Sequence, residues 1–126
     1  MKTYLYVGIG GAVGSMLRYL VSLITLHFFG NGFPFGTVAV NLLGAFLLGW
    51  FTTHILYQTN PPLAAAIGTG MIGSFTTLST LSVDVLFLVE NQDFVSVFLY
   101  VMISVFGGFL LALAGLNLGK KKVKSQ

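Results

Sequence analysis

The chain has 126 residues, of which 56% are hydrophobic and 7% are charged; a water-soluble domain carries about 25% charged residues, so this composition indicates a bilayer as solvent. The net charge of +3 does not indicate nucleic-acid binding, because four of the six basic residues form a C-terminal run, Lys120, Lys121, Lys122 and Lys124. The absence of cysteine excludes a disulfide framework, a thiolate metal site and a cysteine nucleophile.

Four apolar segments predict a single four-helix transmembrane domain over residues 1–126, an all-α membrane protein. The segments cover residues 4–29, 36–56, 62–89 and 94–118. Each has the ~20 residues that a helix needs to cross ~30 Å of hydrocarbon. The first segment contains Arg18 and is too long for the core of a signal peptide, so we expect it to remain in the mature protein.

The distribution of lysine predicts the orientation in the cell membrane. With four spans, Lys2 and the C-terminal lysines lie on one side, whereas the first and third loops contain no Lys or Arg. Cytoplasmic loops carry an excess of Lys and Arg. We therefore expect a multi-pass protein of the cell membrane with both termini in the cytoplasm.

Polar residues in the first two spans need compensation in lipid. Arg18 lies deep in the first span, where a charge costs ~2.5 kcal/mol or more unless it faces a cavity or a partner. It either snorkels to an interface or lines a vestibule that attracts anions. Asn41 in the second span either lines a pore or forms hydrogen bonds between helices.

The third span is interrupted by glycine and hydroxyl residues over residues 68–82. Gly68, Gly70 and Gly73, followed by hydroxyl and β-branched residues, predict an unwound turn. A break at membrane depth is tolerated where it is buried in protein or lines a water-filled cavity, and broken helices in transporters mark ion sites. Its carbonyls suit a hard cation and the hydroxyls beyond it can donate to an anion, with a packed kink as the alternative.

Small residues and hydroxyl groups recur along the outer two spans. Gly10 and Gly14, Gly108 and Ala112, and Gly115 and Gly119 form small-xxx-small pairs. Because four helices enclose little space, we expect a dimer, although the pairs could also pack the chain internally. Tyr100 and Ser104 share a helix face with Gly108 and form a hydroxyl track, unless Tyr100 is an interfacial belt residue.

Four motifs in order resemble the CrcB/Fluc family of fluoride channels over essentially the whole chain. The motifs lie at residues 10–19 with Arg18, at 36–37 and 40–44, at 73–82, and at Tyr100 with Ser104. The resemblance implies an antiparallel dimer with two fluoride paths. It also implies a structural sodium ion (Na+) at the dimer centre, held by backbone oxygens of Gly73 and Thr76. The resemblance implies that four residues line the vestibule or the pore, namely Arg18, Asn41, Tyr100 and Ser104. We expect the hydroxyl residues at the break to line the pore as well, namely Thr77, Ser79 and Thr80.

Leu78 and Leu81 depart from the family pattern, which has phenylalanine at both positions. Leucine has no ring quadrupole with which to contact an anion. Some fluoride channels are built from two different homologous chains, and the lysine asymmetry also favours a chain of fixed orientation. We therefore expect a heterodimer with a second homologous subunit.

The resulting hypothesis is a fluoride-selective channel subunit that lets fluoride leave the cell passively and reduces its toxicity. A non-conducting scaffold subunit is one alternative. A small proton-coupled multidrug exporter is another, but its carboxylate candidates, Asp84 and Glu90, lie near one end of the third span. No nucleophile–base pair or set of metal ligands is visible, so we do not expect an enzyme.

Overall fold

The structure, a computed structural model, describes residues 2–53 and 58–124. The regular structure in these residues is helical, as the composition predicts. The first helix is Lys2–Phe29 and the second is Phe35–Phe51. The end of the predicted second span, residues 54–56, lies outside the described part of the chain.

The third span consists of several helical segments and a break. The segments before the break are Pro61–Ala65, the π-helical Ala66–Ile72 and Gly73–Phe75, and the segment after it is Ser79–Glu90. The predicted break is confirmed, and it lies within the predicted stretch, residues 68–82. Gly68 and Gly70 are wound into the π-helical segment, and the chain leaves helical geometry further on, at residues 76–78.

The fourth span also contains a π-helical turn. It runs through Phe94–Met102, the π-helical Ile103–Gly107 and Gly108–Lys124. A π-helical turn adds one residue to the helical repeat and so rotates the residues that follow it. The helix face predicted to be shared by Tyr100, Ser104 and Gly108 therefore does not continue unchanged through this turn. Tyr100 before the turn is fully buried, whereas the position of a Cβ on Gly108 after it has no neighbour within 4 Å.

Short local motifs set the ends of the helices. The first helix ends because Gly30 adopts a left-handed φ of 70°, and its N–H donates to the carbonyl oxygen of Leu26 at 3.0 Å. Asn60 caps the third span by accepting from the N–H of Leu63, with proline in the first turn. Asp93 caps the fourth span in the same way.

Glycines bring the first helix and the third span into backbone contact. A Cβ on Gly70 would lie 2.6 Å from the carbonyl oxygen of Val7, and a Cβ on Gly14 would overlap the carbonyl oxygen of Met71. This close approach requires glycine and explains why Gly70 is wound into a helix instead of unwinding it. The third span therefore packs mainly on the first helix.

The second helix and the fourth span form a matching pair. A Cβ on Gly49 would overlap the carbonyl oxygen of Ala112, and a Cβ on Gly115 would overlap that of Phe46. Small residues on both helices again allow the backbones to touch. This contact is the most extensive one between two helical segments in the described residues.

Two of the three small-residue pairs pack within the described part of the chain. A Cβ on any of four of these glycines would overlap an atom of another helix or of the turn that follows it; the four are Gly10, Gly14, Gly115 and Gly119. The alternative of internal packing holds for these four, and they carry no argument for a dimer.

The outer surface of the bundle is apolar. Within residues 2–53 and 58–124, three helical stretches are long and apolar enough to cross a membrane, namely Lys2–Phe29, Pro61–Glu90 and Phe94–Lys120, and the shorter Phe35–Phe51 is also apolar. Large side chains such as Phe28, Phe98 and Phe109 are more than half exposed. Because a protein in water rarely exposes so much apolar surface, the chain is a multi-pass membrane protein, as its composition predicts.

Candidate ion site at the broken third helix

The break interrupts the hydrogen bonds of the third span for about one turn. Thr76 still donates its N–H to the carbonyl oxygen of Ile72 at 3.2 Å, but its backbone is extended, with φ −81° and ψ 161°. Leu78 returns to helical angles, with φ −95° and ψ −33°. The backbone groups between these residues must find partners outside the helix, because lipid offers none.

Asn41 on the second helix supplies two of these partners. Its Oδ1 accepts from the N–H of Thr77 at 2.7 Å, and its Nδ2 donates to the carbonyl oxygen of Thr77 at 2.9 Å. One side-chain amide thus pairs with both backbone groups of a residue that has left the helix. The sequence leaves two roles open for Asn41, and the structure shows one of them, hydrogen bonding between helices.

The hydroxyl group of Thr77 caps the helical segment that follows the break. Its Oγ1 accepts from the N–H of Thr80 at 3.2 Å and donates to Oγ1 of Thr80 at 3.0 Å. Oγ of Ser79 lies 3.3 Å from the same atom. The three predicted hydroxyl residues therefore form one cluster at the start of Ser79–Glu90.

The carbonyl groups of Gly73 and Thr76 are among those that lose their helical partners at the break. In a continuous helix the carbonyl of Gly73 would accept from the N–H of Thr77, but that N–H binds Asn41. The carbonyl of Thr76 would accept from the N–H of Thr80, but that N–H binds the hydroxyl of Thr77. Gly73 accepts instead from Oγ1 of Thr76 at 3.1 Å. Carbonyl oxygens that leave the ladder at membrane depth fit a hard cation such as sodium.

Arg18 on the first helix reaches the break. Its Nη1 donates to the carbonyl oxygen of Thr76, and the two atoms are 3.5 Å apart. The side chain is half-buried, so the guanidinium does not extend freely to an interface. The contact joins the first helix to the break in the third span.

Two adjacent cavities lie beside the break. A cavity of about 210 Å³, the Arg18 cavity, has eight lining residues, six of which carry a hydroxyl group. A cavity of about 430 Å³, the loop cavity, lies near the first loop, with Asn31 in its lining. Both are lined by Ser22, Thr37 and Thr80, so the polar lining continues from one cavity to the other.

Tyr100 is buried and points its hydroxyl group toward the third span. The hydroxyl donates to Oδ2 of Asp84 at 2.9 Å, and the ring makes an edge contact with Phe33, with ring centroids 5.7 Å apart. A belt residue would face the interface, so that alternative does not hold. Tyr100 instead joins the fourth span to Asp84 in the wall of the loop cavity.

Ser104 carries an unpartnered hydroxyl group. Its Oγ is buried and has no hydrogen-bond partner in the described part of the chain. It lies in the π-helical turn, one residue after its start. A buried hydroxyl without a partner is costly, and such groups in native proteins call for a functional or structural explanation.

Residues 5–116 match the family described as "CrcB-like protein, Camphor Resistance (CrcB)". The chain belongs to the CrcB family. Among its relatives is "Fluoride-specific ion channel FluC 1" of Bacillus cereus (strain ATCC 10987 / NRS 248), 41% identical over 96% of this chain and 90% of that protein. Another is "Fluoride-specific ion channel FluC" of Shewanella halifaxensis (strain HAW-EB4), 44% identical over 83% of this chain and 86% of that protein. These relatives are named channels, in agreement with the prediction that the chain is not an enzyme.

The two unusual leucines differ in their surroundings in this CrcB chain. Leu78 is 77% exposed, whereas Leu81 is half-buried. Leu78 therefore contacts little else in its own chain.

Sequence reasoning missed several polar residues that line the cavities of this CrcB chain. Thr37 is buried, and Ser22 and Thr37 line both cavities. The sequence indicates Asp84 only as a candidate carboxylate of an exporter, whereas in the structure it accepts a hydrogen bond from Tyr100. The position of these residues in the sequence indicates a functional role, because ionisable and polar residues inside a membrane span are functional candidates by default.

Proposed function

We propose that this chain is a subunit of a fluoride-selective channel that lets fluoride leave the cell passively and so reduces fluoride toxicity. One observation carries the proposal: a cationic side chain at membrane depth, Arg18, faces a cavity lined mostly by hydroxyl groups. Hydroxyl groups donate hydrogen bonds to an anion, and a nearby positive charge raises the local anion concentration. The names of the relatives, fluoride-specific ion channels, support fluoride as the ion.

Permeation requires that the protein replace water around the ion without holding it tightly. The hydroxyls of Thr77, Ser79 and Thr80 and the unpartnered Oγ of Ser104 are donors that suit this task. Tyr100, held by Asp84, fixes the fourth span against the loop cavity. Several weak sites in succession let the anion leave as readily as it enters.

A structural sodium ion is part of the proposal. The carbonyl oxygens of Gly73 and Thr76 would hold it, since both have lost their helical donors. When bound, the ion supplies a fixed positive charge that joins backbone segments whose carbonyls lipid cannot satisfy. Three side chains shape the site. Arg18 donates to the carbonyl oxygen of Thr76, and the hydroxyl of Thr76 donates to that of Gly73. Asn41 accepts from the N–H of Thr77, which would otherwise bind Gly73.

The channel is completed by a second homologous chain in the opposite orientation. This chain has its termini in the cytoplasm, because its loop lysines lie on the terminus side. The exposed Leu78 and the leucine at position 81 support a heterodimer, in which the partner contributes the aromatic rings that the two leucines lack. They also support the scaffold alternative, in which this chain orients a conducting partner.

The heterodimer is tested by reconstituting the purified chain alone in liposomes loaded with fluoride. We expect little efflux from the single species and rapid efflux when the homologous partner is present, measured with a fluoride electrode. Robust efflux by the single species would contradict the heterodimer. Equal rates for chloride and fluoride in the complex would contradict fluoride selectivity.

Ser104 separates a pore-lining subunit from a scaffold. Because its Oγ has no partner to lose, Ser104→Ala should leave thermal stability unchanged or slightly raised. If the hydroxyl serves the anion, the same change lowers fluoride efflux by about tenfold, and Ser104→Thr retains most of it. Unchanged efflux in the complex would favour the scaffold.

A further inference from the structure

Arg18 and the proposed sodium ion share one ligand, the carbonyl oxygen of Thr76. We propose that Arg18 weakens sodium binding at the break. The inference rests on the sodium site of the proposed function and deepens it. It assigns to Arg18 a role toward the cation in addition to any role toward the anion.

The hydrogen bonds at the break bring the two charges to the same atom. Nη1 of Arg18 lies 3.5 Å from the carbonyl oxygen of Thr76, at the long end of the range for a hydrogen bond. The N–H of Thr80, which would bind that oxygen in a continuous helix, binds Oγ1 of Thr77 instead. The oxygen is therefore weakly engaged and can still accept a cation.

Arg18 has no carboxylate partner at this position in the described residues. In the described part of the chain it makes a hydrogen bond to a carbonyl oxygen and no ion pair with a carboxylate. Asp84, which lines the adjacent loop cavity, accepts from the hydroxyl of Tyr100. No direct counter-charge therefore shields a cation at the break from the guanidinium.

Like charges within ~4–6 Å of one another disfavour each other. At about 6 Å, Coulomb's law gives a loss of affinity of roughly threefold in a water-like medium and roughly a hundredfold at an effective dielectric constant of about 20. Arg18 is half-buried, so the effect falls between these limits, and we expect about tenfold. Removing the charge should tighten sodium binding by that factor.

The experiment measures the thermal unfolding midpoint of the purified channel in detergent, with its partner chain where one is needed. Sodium is titrated against N-methylglucamine at constant ionic strength, since an ion that binds the folded state raises the midpoint with concentration. The neutral variants are Arg18→Gln and Arg18→Met. Folding is not threatened in either, because losing a charge at membrane depth eases insertion.

Two variants are matched controls. Arg18→Lys keeps a positive charge near the break, so its sodium dependence should stay close to that of the wild type. Lys2→Gln removes a charge from the same helix, about 24 Å away at 1.5 Å per residue, well beyond the Debye length of about 8–10 Å. Its sodium dependence should be unchanged.

We expect the sodium concentration for half-maximal stabilisation to fall about tenfold in both neutral variants and in neither control. Equal or weaker sodium binding in Arg18→Gln and Arg18→Met would overturn the inference while leaving the sodium site intact. If neither the wild type nor any variant responds to sodium, the sodium site fails and the inference with it. Fluoride efflux from the same preparations reports separately whether the channel function stands.

Discussion

Asn41 replaces two backbone partners at once. In a continuous helix the N–H and the carbonyl group of Thr77 would bond along the third span, but here both bond to the Asn41 amide, at 2.7 and 2.9 Å. Few side chains offer a donor and an acceptor at this spacing. A polar residue in a membrane span is visible in the sequence, but its partner, 36 residues further along the chain, is not.

Replacing Asn41 by leucine should destabilise the break. Asn41→Leu leaves the N–H and the carbonyl group of Thr77 without partners, which costs about 1–3 kcal/mol for each buried group. We expect a lower unfolding midpoint in detergent and a loss of fluoride efflux. Asn117→Leu is the matched control, because Asn117 is exposed on the fourth span. An Asn41→Leu protein as stable as the control would contradict the role of Asn41 at the break.

The third span shows at the level of an element what sequence can and cannot predict. Glycine and hydroxyl residues at 68–82 correctly predict a break, because they form helix poorly. They do not locate it within that stretch, because Gly70 is also the residue that allows contact with Val7. That contact favours helix at Gly70. The unwinding therefore lies further on, where Thr77 finds a partner on another helix.

The contact between the first helix and the third span should depend on Gly14. In Gly14→Ala the new methyl group would overlap the carbonyl oxygen of Met71, and overpacking costs about 1–3 kcal/mol or more. Gly8→Ala is the control, because its Cβ meets nothing within 4 Å. We expect a clearly lower unfolding midpoint for Gly14→Ala alone. Equal midpoints would show that these backbones are not in close contact.

The cap of the fourth span should respond to pH. Oδ1 of Asp93 accepts from the N–H of Ser96 at 3.1 Å, and hydrogen bonds from Ser96 lower the pKa of Asp93. A carboxyl group with a lowered pKa in the folded state stabilises the protein above its unfolded pKa of about 3.9. That contribution is lost as the pH falls through the lower folded pKa.

Asp93→Asn should remove this dependence, because asparagine also caps helices well but does not titrate. Unfolding midpoints measured from pH 7 down to pH 3 should decline less steeply in Asp93→Asn than in the wild type. Parallel declines in the two proteins would mean that another group is responsible.

At the scale of the whole molecule, composition and the spacing of apolar segments predict a helical membrane protein. Its place in the CrcB family is predicted separately, by the resemblance of its four motifs to that family. They do not predict which helices pair, because the glycines of all four spans look alike in sequence. Gly49 and Gly115 meet the backbone of the opposite helix, whereas Gly108 meets nothing. Such differences depend on how each helix is rotated, which long-range packing decides.

The C-terminal lysines should fix the orientation of the chain. Replacing Lys120, Lys121, Lys122 and Lys124 by glutamine leaves Lys2 as the remaining loop lysine on the terminus side. We expect insertion in both orientations, because the charge bias that orients the spans is largely lost. Asn31→Cys in the first loop supplies a single thiol, since the chain has no cysteine. An impermeant maleimide should label this thiol fully in the parent and partly in the lysine variant.

The pairing of alternate helices has a consequence for synthesis. The first helix packs mainly on the third span and the second helix on the fourth, so neighbours in sequence are not the main partners in space. As the chain leaves the ribosome, the first two helices enter the bilayer before the third and fourth spans, their main packing partners, have been synthesised. The glycine-lined faces of Gly14 and Gly49 meet lipid until then. A chain released before Pro61 thus contains two complete helices and neither of the pairs that hold the protein together.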